Sequence, residues 1–496
     1  MSRKTGEHDQ RNRMRNGQKR LSIEHLENRQ MMSVTSATLS QGMVFINTNN
    51  YDSNVSVLQS GANIIVKDAV NGFSKSFAAS AVQKVQFVGG AGNDRFVDYV
   101  FSLTVRAWGG GGNDYLEGYN AADYLQGDNG NDTLVGYGGD DTLFGCAGND
   151  VLLGRTGNDQ LVGGDGDDRL NGGDGADKMW GGNGNDVLIA IDGGTSDYCQ
   201  GDSGANAIWT DKNFVTVDWV YGATAADKVQ YVGGFANGAD RTLDGDRIAD
   251  PAAKSGLTYK AFRGNPLFSS AGPRPGDVRQ GGLGDCYLMA GLAGIAMDSP
   301  NALRQNVVDF DDGTYGVRLG NSFYRVDNDL PVAGASSTTP AFARLGAENS
   351  MWVAAVENAF AHYRTGANSY ASIEGGWSVE INLAMGSTSS GARWINGYAS
   401  AAALANDMYD HWNHYGSTTI GFVKQTNNTG APLFMSHMYT VMSFVRNSSG
   451  TITSIVLRNP WGYDGTGNDG NPNDGLVTVT PGQLFQLRGQ VNWGRV

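Results

Sequence analysis

One cysteine and a row of aspartates stand at spacings that imply chemistry. Cys286 follows a Gly-Leu-Gly-Asp turn and opens an apolar run, Leu288, Met289, Leu292, Ile295 and Ala296, which suits a buried helix. A thiol at a helix N-terminus feels the positive end of the macrodipole, which lowers its pKa and raises its thiolate fraction. Gln280, just upstream, carries an amide that can donate to a developing oxyanion. A lone cysteine before an apolar helix is more often a small buried hydrophobe, so the assignment turns on finding a base elsewhere.

The aspartates are Asp114, Asp123, Asp132, Asp141, Asp150, Asp159, Asp168, Asp177 and Asp186, nine residues apart throughout. Two residues after each stands an apolar side chain, from Leu116 to Leu188, and glycines fill the turns, as in Gly163–Asn171. This pattern predicts three-residue strands joined by glycine-rich turns, two units to a coil, with positions 18 apart stacked on one edge. Asp114, Asp132, Asp150, Asp168 and Asp186 then share one edge, and Asp123, Asp141, Asp159 and Asp177 the other. Stacked carboxylates repel unless a hard cation lies between them. Oxygen-only ligands favour Ca²⁺ over transition metals, and same-edge neighbours leave about seven intervals as sites. Without calcium a solvated, unordered tract is expected. Two turns depart from the rule: Gly118–Ala122 lacks the inner glycines, and Cys146 replaces one before Asp150. The G-G-x-G-x-D-x-U-x unit resembles the RTX repeat family, which implies a calcium-bound parallel β-roll.

A cysteine nucleophile needs a base, and the chain has six histidines. His8 and His25 lie near the N-terminus. His362 falls in the helical run Asn349–Tyr363 and is expected on its surface. His411 and His414 sit at a helix end, where histidines are electrostatically favoured. His437 opens the β-rich stretch Met438–Val445, so its ring can project into a cleft. Downstream, the strand Ser454–Leu457 ends in Arg458-Asn459-Pro460-Trp461-Gly462. An amide there can accept the imidazole N–H and fix its tautomer, giving Cys–His–Asn, with Trp461 shielding that bond from water.

Three stretches resemble the calpain family. Gln280–Ala290 is similar to Q-G-x-L-G-D-C-W-x-x-A, Ser436–Val441 to G-H-A-Y-T-V, and Leu457–Gly462 to L-R-N-P-W-G. Trp352–Gly376 resembles the core helix and following glycine pair, and Asp474–Phe485 the closing strand and helix. The resemblance implies a papain-like cysteine endopeptidase. Cys286 would be the nucleophile, His437 the general base and then acid, and Asn459 its orienter. Gln280 would join the Cys286 N–H in the oxyanion hole. Tyr287 stands where Trp is usual, Ser436 for Gly, and Met438 for Ala, the last expected to narrow the cleft.

The elements that must position these groups follow from composition. At 496 residues several domains are expected. Three cysteines, Cys146, Cys199 and Cys286, cannot make a disulfide framework, and the first two read as fillers of small positions. Between Gly89 and Ser203 stand 19 Asp and one Glu against four Arg and one Lys, which accounts for the net charge of −14. That acidity argues against nucleic acid and towards bound cations. No apolar run approaches the ~20 residues of a membrane span.

The expected architecture is multidomain. Residues 1–33 are basic and without structure, 34–88 a β-rich cap, and 89–203 the RTX parallel β-roll. Residues 204–265, where the period is lost, are a cap or linker, and 266–496 an α+β papain-like, calpain-type cysteine protease core. Within the first segment Leu26–Ser33, L-E-N-R-Q-M-M-S, resembles an element near the N-termini of planctomycete proteins thought to be exported. The expected partners are calcium ions and protein or peptide substrates. An extracellular or cell-surface location suits a roll that orders only in calcium, with the cytoplasm as the alternative. The competing class is a calcium-stabilised surface or adhesion protein whose protease-like domain is inactive.

Overall fold

A computed structural model describes residues 34–212, 218–237, 239, 250–462 and 475–496. The basic segment 1–33 with its Leu26–Ser33 element lies outside them, as do the Asp244–Arg247 loop and most of the Phe214–Val220 stretch. The chain divides into two compact units between Tyr231 and Val232.

The first unit is a parallel β-roll of two facing sheets. Successive nonapeptides alternate between the sheets, so Leu125 pairs in register with Leu143 in one and Leu134 with Leu152 in the other. The strands are longer than the three residues expected. Thr142–Ala147 and Val151–Thr156 each run six, because the chain stays extended through the first glycine-rich positions. Leu116, Leu125, Leu134, Leu143, Leu152, Leu161, Leu170, Met179 and Leu188 are all fully buried between the sheets. Each such side chain contributes about 2 kcal/mol of hydrophobic transfer, so Leu152→Asp would break the roll locally. Cys199 occupies the next inward position, beside Met179, and is fully buried. Cys146 instead takes a glycine-like backbone, φ +83°.

The expected cap, 34–88, adds antiparallel hairpins to the roll's own sheets, Val34–Ser40 on Met43–Thr48 and Asn54–Ser60 on Asn63–Asp68. Phe87 stacks on Phe96 at 4.8 Å where cap and coils meet.

The stretch expected as cap and linker, 204–265, is divided between the units. Ala207–Asp211, Trp219–Tyr221 and Lys228–Val232 continue the two sheets. The sequence period is lost because the last coils lengthen to 20 and 21 residues, not because the roll ends. Thr258–Ala261, by contrast, pairs antiparallel with Asp329–Val332 in the second unit.

The second unit holds two apolar cores. One surrounds the helices Cys286–Asp298 and Trp352–Tyr363. The Cys286 helix is apolar on every side, as a central buried helix must be. The other core lies under a six-stranded antiparallel sheet in the order 389–394, 489–495, 417–422, 438–446, 452–458, 476–479. Leu476–Val479 and the helix Pro481–Phe485 match the expected closing elements. The chain then adds a strand unforeseen in the sequence, Gly489–Arg495, inside this sheet. Among the described residues no helix is long and apolar enough to cross a membrane.

Candidate active site and calcium-binding edges

Cys286 begins its helix and His437 immediately precedes the strand Met438–Arg446. Both line one cleft of about 240 Å³, with Gly284, Gly375, Gly376 and Trp377 on one side and Gly421, Phe422 and Met438 from strands of the six-stranded sheet. His437 Nε2 lies 2.8 Å from Asn459 Oδ1, and that oxygen also accepts the Trp461 N–H at 3.0 Å. An amide oxygen can only accept, so Nε2 carries the proton and Nδ1 is the basic nitrogen. Asn459 is fully buried, and the Trp461 ring covers the imidazole at 4.3 Å.

The electrostatics differ from the expected helix-lowered thiol. Burial pushes the Cys286 thiol up to about 11, helped by the neighbouring Asp285 charge and opposed by the N–H groups of Met438, Tyr287 and Cys286. Burial also pushes His437 down to about 4, against the raising effect of its bond to Asn459. The macrodipole is real, but removal from water outweighs it at this depth.

Gln280 is buried beside this loop but does not line the cleft. Its backbone N–H donates to Pro460 O at 2.8 Å, and Arg458 Nη2 donates to Val278 O at 2.8 Å, tying its segment to that of Asn459. Both amide protons are engaged: Nε2 donates to Leu283 O at 2.6 Å and to Asp285 Oδ1 at 3.1 Å. The expected oxyanion donor is thus turned aside. Met438 lines the cleft, and its sulfur packs inward, 2.9 Å from the buried Ser378 Oγ. Ser436 adopts φ +56°, a left-handed backbone that the family's usual glycine takes without strain.

The other three described histidines have structural places. His362 is buried, not on the helix surface, because its face of the helix packs towards Tyr324, 6.3 Å between rings. His411 stacks on Trp493 at 3.7 Å and lies 3.2 Å from Asp407. His414 Nδ1 pairs with Asp410 O at 2.7 Å. Sequence reasoning missed Asp285 and Glu357. The signal for Glu357 was present, a carboxyl four residues from Val353 and Ala361 on an otherwise apolar helix face.

In the roll the predicted aspartate edges form two hydrogen-bonded ladders. The Asp114 N–H donates to Asp132 Oδ1 at 2.7 Å, Asp132 to Asp150 at 2.8 Å, and Asp141 to Asp159 at 2.7 Å. The ladders run past the nonapeptides, through Asp197 to Asp218 on one edge and Asn206 to Asp227 on the other. The second oxygen, Oδ2, is buried without a partner in Asp114, Asp132, Asp141, Asp150, Asp159, Asp168, Asp177, Asp186 and Asp197. Several meet a glycine and a carbonyl: a Cβ on Gly109 would collide with Asp114 Oδ2 and come within 2.7 Å of Gly127 O, and the same pairing recurs for Asp150, Asp159, Asp168 and Asp186 at Gly145, Gly154, Gly163 and Gly181.

Asp123 is the exception, since Tyr119 N–H takes its Oδ2 at 3.2 Å in the turn that lacks inner glycines. Cys146 has no such effect, and Asp150 Oδ2 stays bare. Burial raises these carboxyls in the metal-free roll, Asp132 and Asp159 to about 6, Asp150 to about 7 and Asp141 to about 9. Bare, dehydrated carboxylate oxygens beside backbone carbonyls are the donor set a hard cation takes. Among the described residues no three His, Cys, Asp or Glu side chains converge, so the carbonyls must complete any such site.

Models of two known families match the chain. A model of the calpain family cysteine proteases matches residues 257–474. The RTX calcium-binding nonapeptide repeat matches in four copies, at 106–125, 117–152, 126–161 and 153–188. The chain carries a calpain-family cysteine protease domain behind RTX calcium-binding repeats. No curated protein matches it. Calcium is therefore the cofactor of the roll, and the bare Oδ2 atoms with the glycine carbonyls are the groups that would hold it. The ion supplies positive charge where the stacked carboxylates would otherwise repel.

Proposed function

We propose that this chain is a cysteine endopeptidase acting on protein substrates through Cys286, His437 and Asn459, joined to a calcium-ordered roll. The observation that carries the reading is the bond between His437 Nε2 and Asn459 Oδ1, 2.8 Å long and shielded by Trp461, on the cleft that also holds Cys286. With Nε2 so engaged, Nδ1 accepts the thiol proton as sulfur attacks the scissile carbonyl and returns it to the leaving amine. The Cys286 N–H would supply one oxyanion donor. Gln280 joins it once its amide leaves Leu283 O or Asp285. Calcium serves the roll, which suits a protein that orders outside the cell or at its surface, where calcium is plentiful.

Casein hydrolysis by the full chain and by Cys286→Ala tests the reading. Wild type is expected to cleave and the variant to lose all activity above background, a drop of about 10³-fold or more. Hydrolysis that survives in Cys286→Ala would refute it. Repeating the assay in EDTA separates the roles of calcium: activity unchanged by chelation confines the ion to the roll. The engaged Gln280 amide favours a second reading, a calcium-stabilised surface protein with a silent protease-like domain. That reading predicts no hydrolysis and no enhanced reactivity of Cys286.

A further inference from the structure

Asp285 is the N-cap of the Cys286–Asp298 helix, yet its side chain makes no capping bond. Aspartate is among the strongest N-caps, since its carboxylate takes orphan N–H groups and meets the positive end of the dipole. Here the side chain is fully buried and turned the other way. Oδ1 accepts from Gln280 Nε2 at 3.1 Å. Oδ2 has no N–H donor, and faces the carboxyl of Glu357.

Glu357, on the helix Trp352–Tyr363, is also buried and accepts the Ala343 N–H at 3.0 and 3.2 Å through its two oxygens. Neither carboxyl has a Lys or Arg partner among the described residues. The other titratable neighbours are Glu374 beside Asp285 and Tyr259 and Tyr370 beside Glu357, none of them cationic. Two buried carboxylates in contact cannot both stay ionised, so one proton lies between them. Burial and the Asp285 charge hold Glu357 well above the usual carboxylate range. Burial raises Asp285 as well, opposed by its bond with Glu357, its own backbone N–H and the Gln280 amide. The pair shares this proton, which ties the Asp285 carboxyl to that of Glu357. The N–H groups of Cys286 and Tyr287 are left to the Cys286 sulfur.

We propose that Glu357 is a positioning residue for the nucleophile: its proton, shared with Asp285, holds that carboxylate off the helix N-terminus and leaves the first-turn N–H groups to the thiolate and the oxyanion. The proposal rests on the protease reading above. Removing the Glu357 donor lets Asp285 rotate into the capping position, where it takes those N–H groups and sets a negative charge beside the sulfur. A glutamine at 357 still donates and keeps Asp285 in place.

The test uses the full chain in calcium. Alkylation of Cys286 by iodoacetamide is followed against pH by mass spectrometry of its peptide, with kcat and KM on a fluorogenic peptide. Glu357→Ala is expected to raise the apparent thiol pKa by about one unit and lower kcat about tenfold, with KM within about twofold. Glu357→Gln is expected to stay within about threefold of wild type in kcat. Adding Asp285→Asn to Glu357→Ala should bring the alkylation profile back. Should Glu357→Ala fail to fold, Glu357→Met, which fills the volume without a donor, replaces it. An alkylation profile unchanged by loss of the donor, or a Gln variant as impaired as the Ala variant, would overturn the proposal. A wild type that cleaves nothing, with the alkylation shifts present, supports the carboxyl pair and refutes the protease reading.

Discussion

In the roll, nine aspartates between Asp114 and Asp197 keep a buried oxygen with no partner, whereas in the protease unit the buried carboxyls of Asp285 and Glu357 face each other. Both arrangements place acidic groups out of water without a basic side chain. A ladder repeats the problem at every coil and leaves glycine carbonyls beside several of the bare oxygens, those of Asp114, Asp150, Asp159, Asp168 and Asp186, so a divalent cation is the economical counter-charge. A single pair is settled by one proton. The difference teaches that the roll depends on what the solution contains, while the protease core carries its solution within it.

Calcium removal is the largest lever on that contrast. The ladder aspartates, raised in the metal-free roll from 3.8 to between about 6 and about 9, are easier to bury when protonated. Their raised values favour the apo roll below about pH 4, an advantage lost as pH rises through those values. Without calcium the roll should therefore melt at lower temperature at pH 8 than at pH 4. Calcium should reverse this at pH 8, adding about 3 kcal/mol per site at a hundredfold excess over Kd, and do little at pH 4, where protons compete. Circular dichroism melts with and without EDTA give the answer. The protease unit should melt alike in both, and a joint shift of the two units would dissolve the contrast.

A smaller effect distinguishes rungs within the ladder. Asp150→Ala and Asp123→Ala each remove an Oδ1 acceptor, for Asp132 N–H at 2.8 Å and Val105 N–H at 2.7 Å respectively. Each loss should cost about 1–2 kcal/mol. Only Asp150 also offers a bare Oδ2, since Asp123 spends its own on Tyr119. Calorimetric titration should show fewer bound calcium ions in Asp150→Ala and an unchanged number in Asp123→Ala. Equal losses in both would mean that bare oxygens do not mark the sites.

The smallest effect compares backbone strain. Cys146 in the roll and Ser436 in the protease unit hold φ +83° and +56°. Glycine at either position should stabilise its unit by about 0.5 kcal/mol, the relief of strain exceeding the entropy that glycine loses. Ser436→Gly should leave kcat unchanged, because Ser436 supplies no group to the reaction. Denaturant melts resolve the first expectation and steady-state kinetics the second.

The roll was legible because one local rule, repeated from Asp114 to Asp186, sets both its register and its carboxylate edges. That rule failed where coils lengthen after Asp186: insertions break a count of nine without breaking the hydrogen bonds from Asp177 to Asp197 and from Asp197 to Asp218. In the protease unit Cys286, His437 and Asn459 were legible as motifs. Their surroundings were not. Which way the Gln280 amide points depends on Leu283 O and Asp285, and the acidity of the thiol depends on burial that no spacing reveals. His362 misled for a related reason, because a helix pattern cannot show that a second element covers the face on which it lies.

The central claim is that Cys286 is a nucleophile served by His437 and Asn459, and its reactivity tests this most directly. The full chain in calcium is exposed to an epoxide inhibitor of cysteine proteases, and labelling of Cys286, Cys146 and Cys199 is timed by mass spectrometry in wild type and His437→Ala. Cys286 should label at least about tenfold faster than either other thiol, and lose that advantage in His437→Ala. Labelling of Cys286 no faster than Cys146, or undiminished without His437, would contradict the claim.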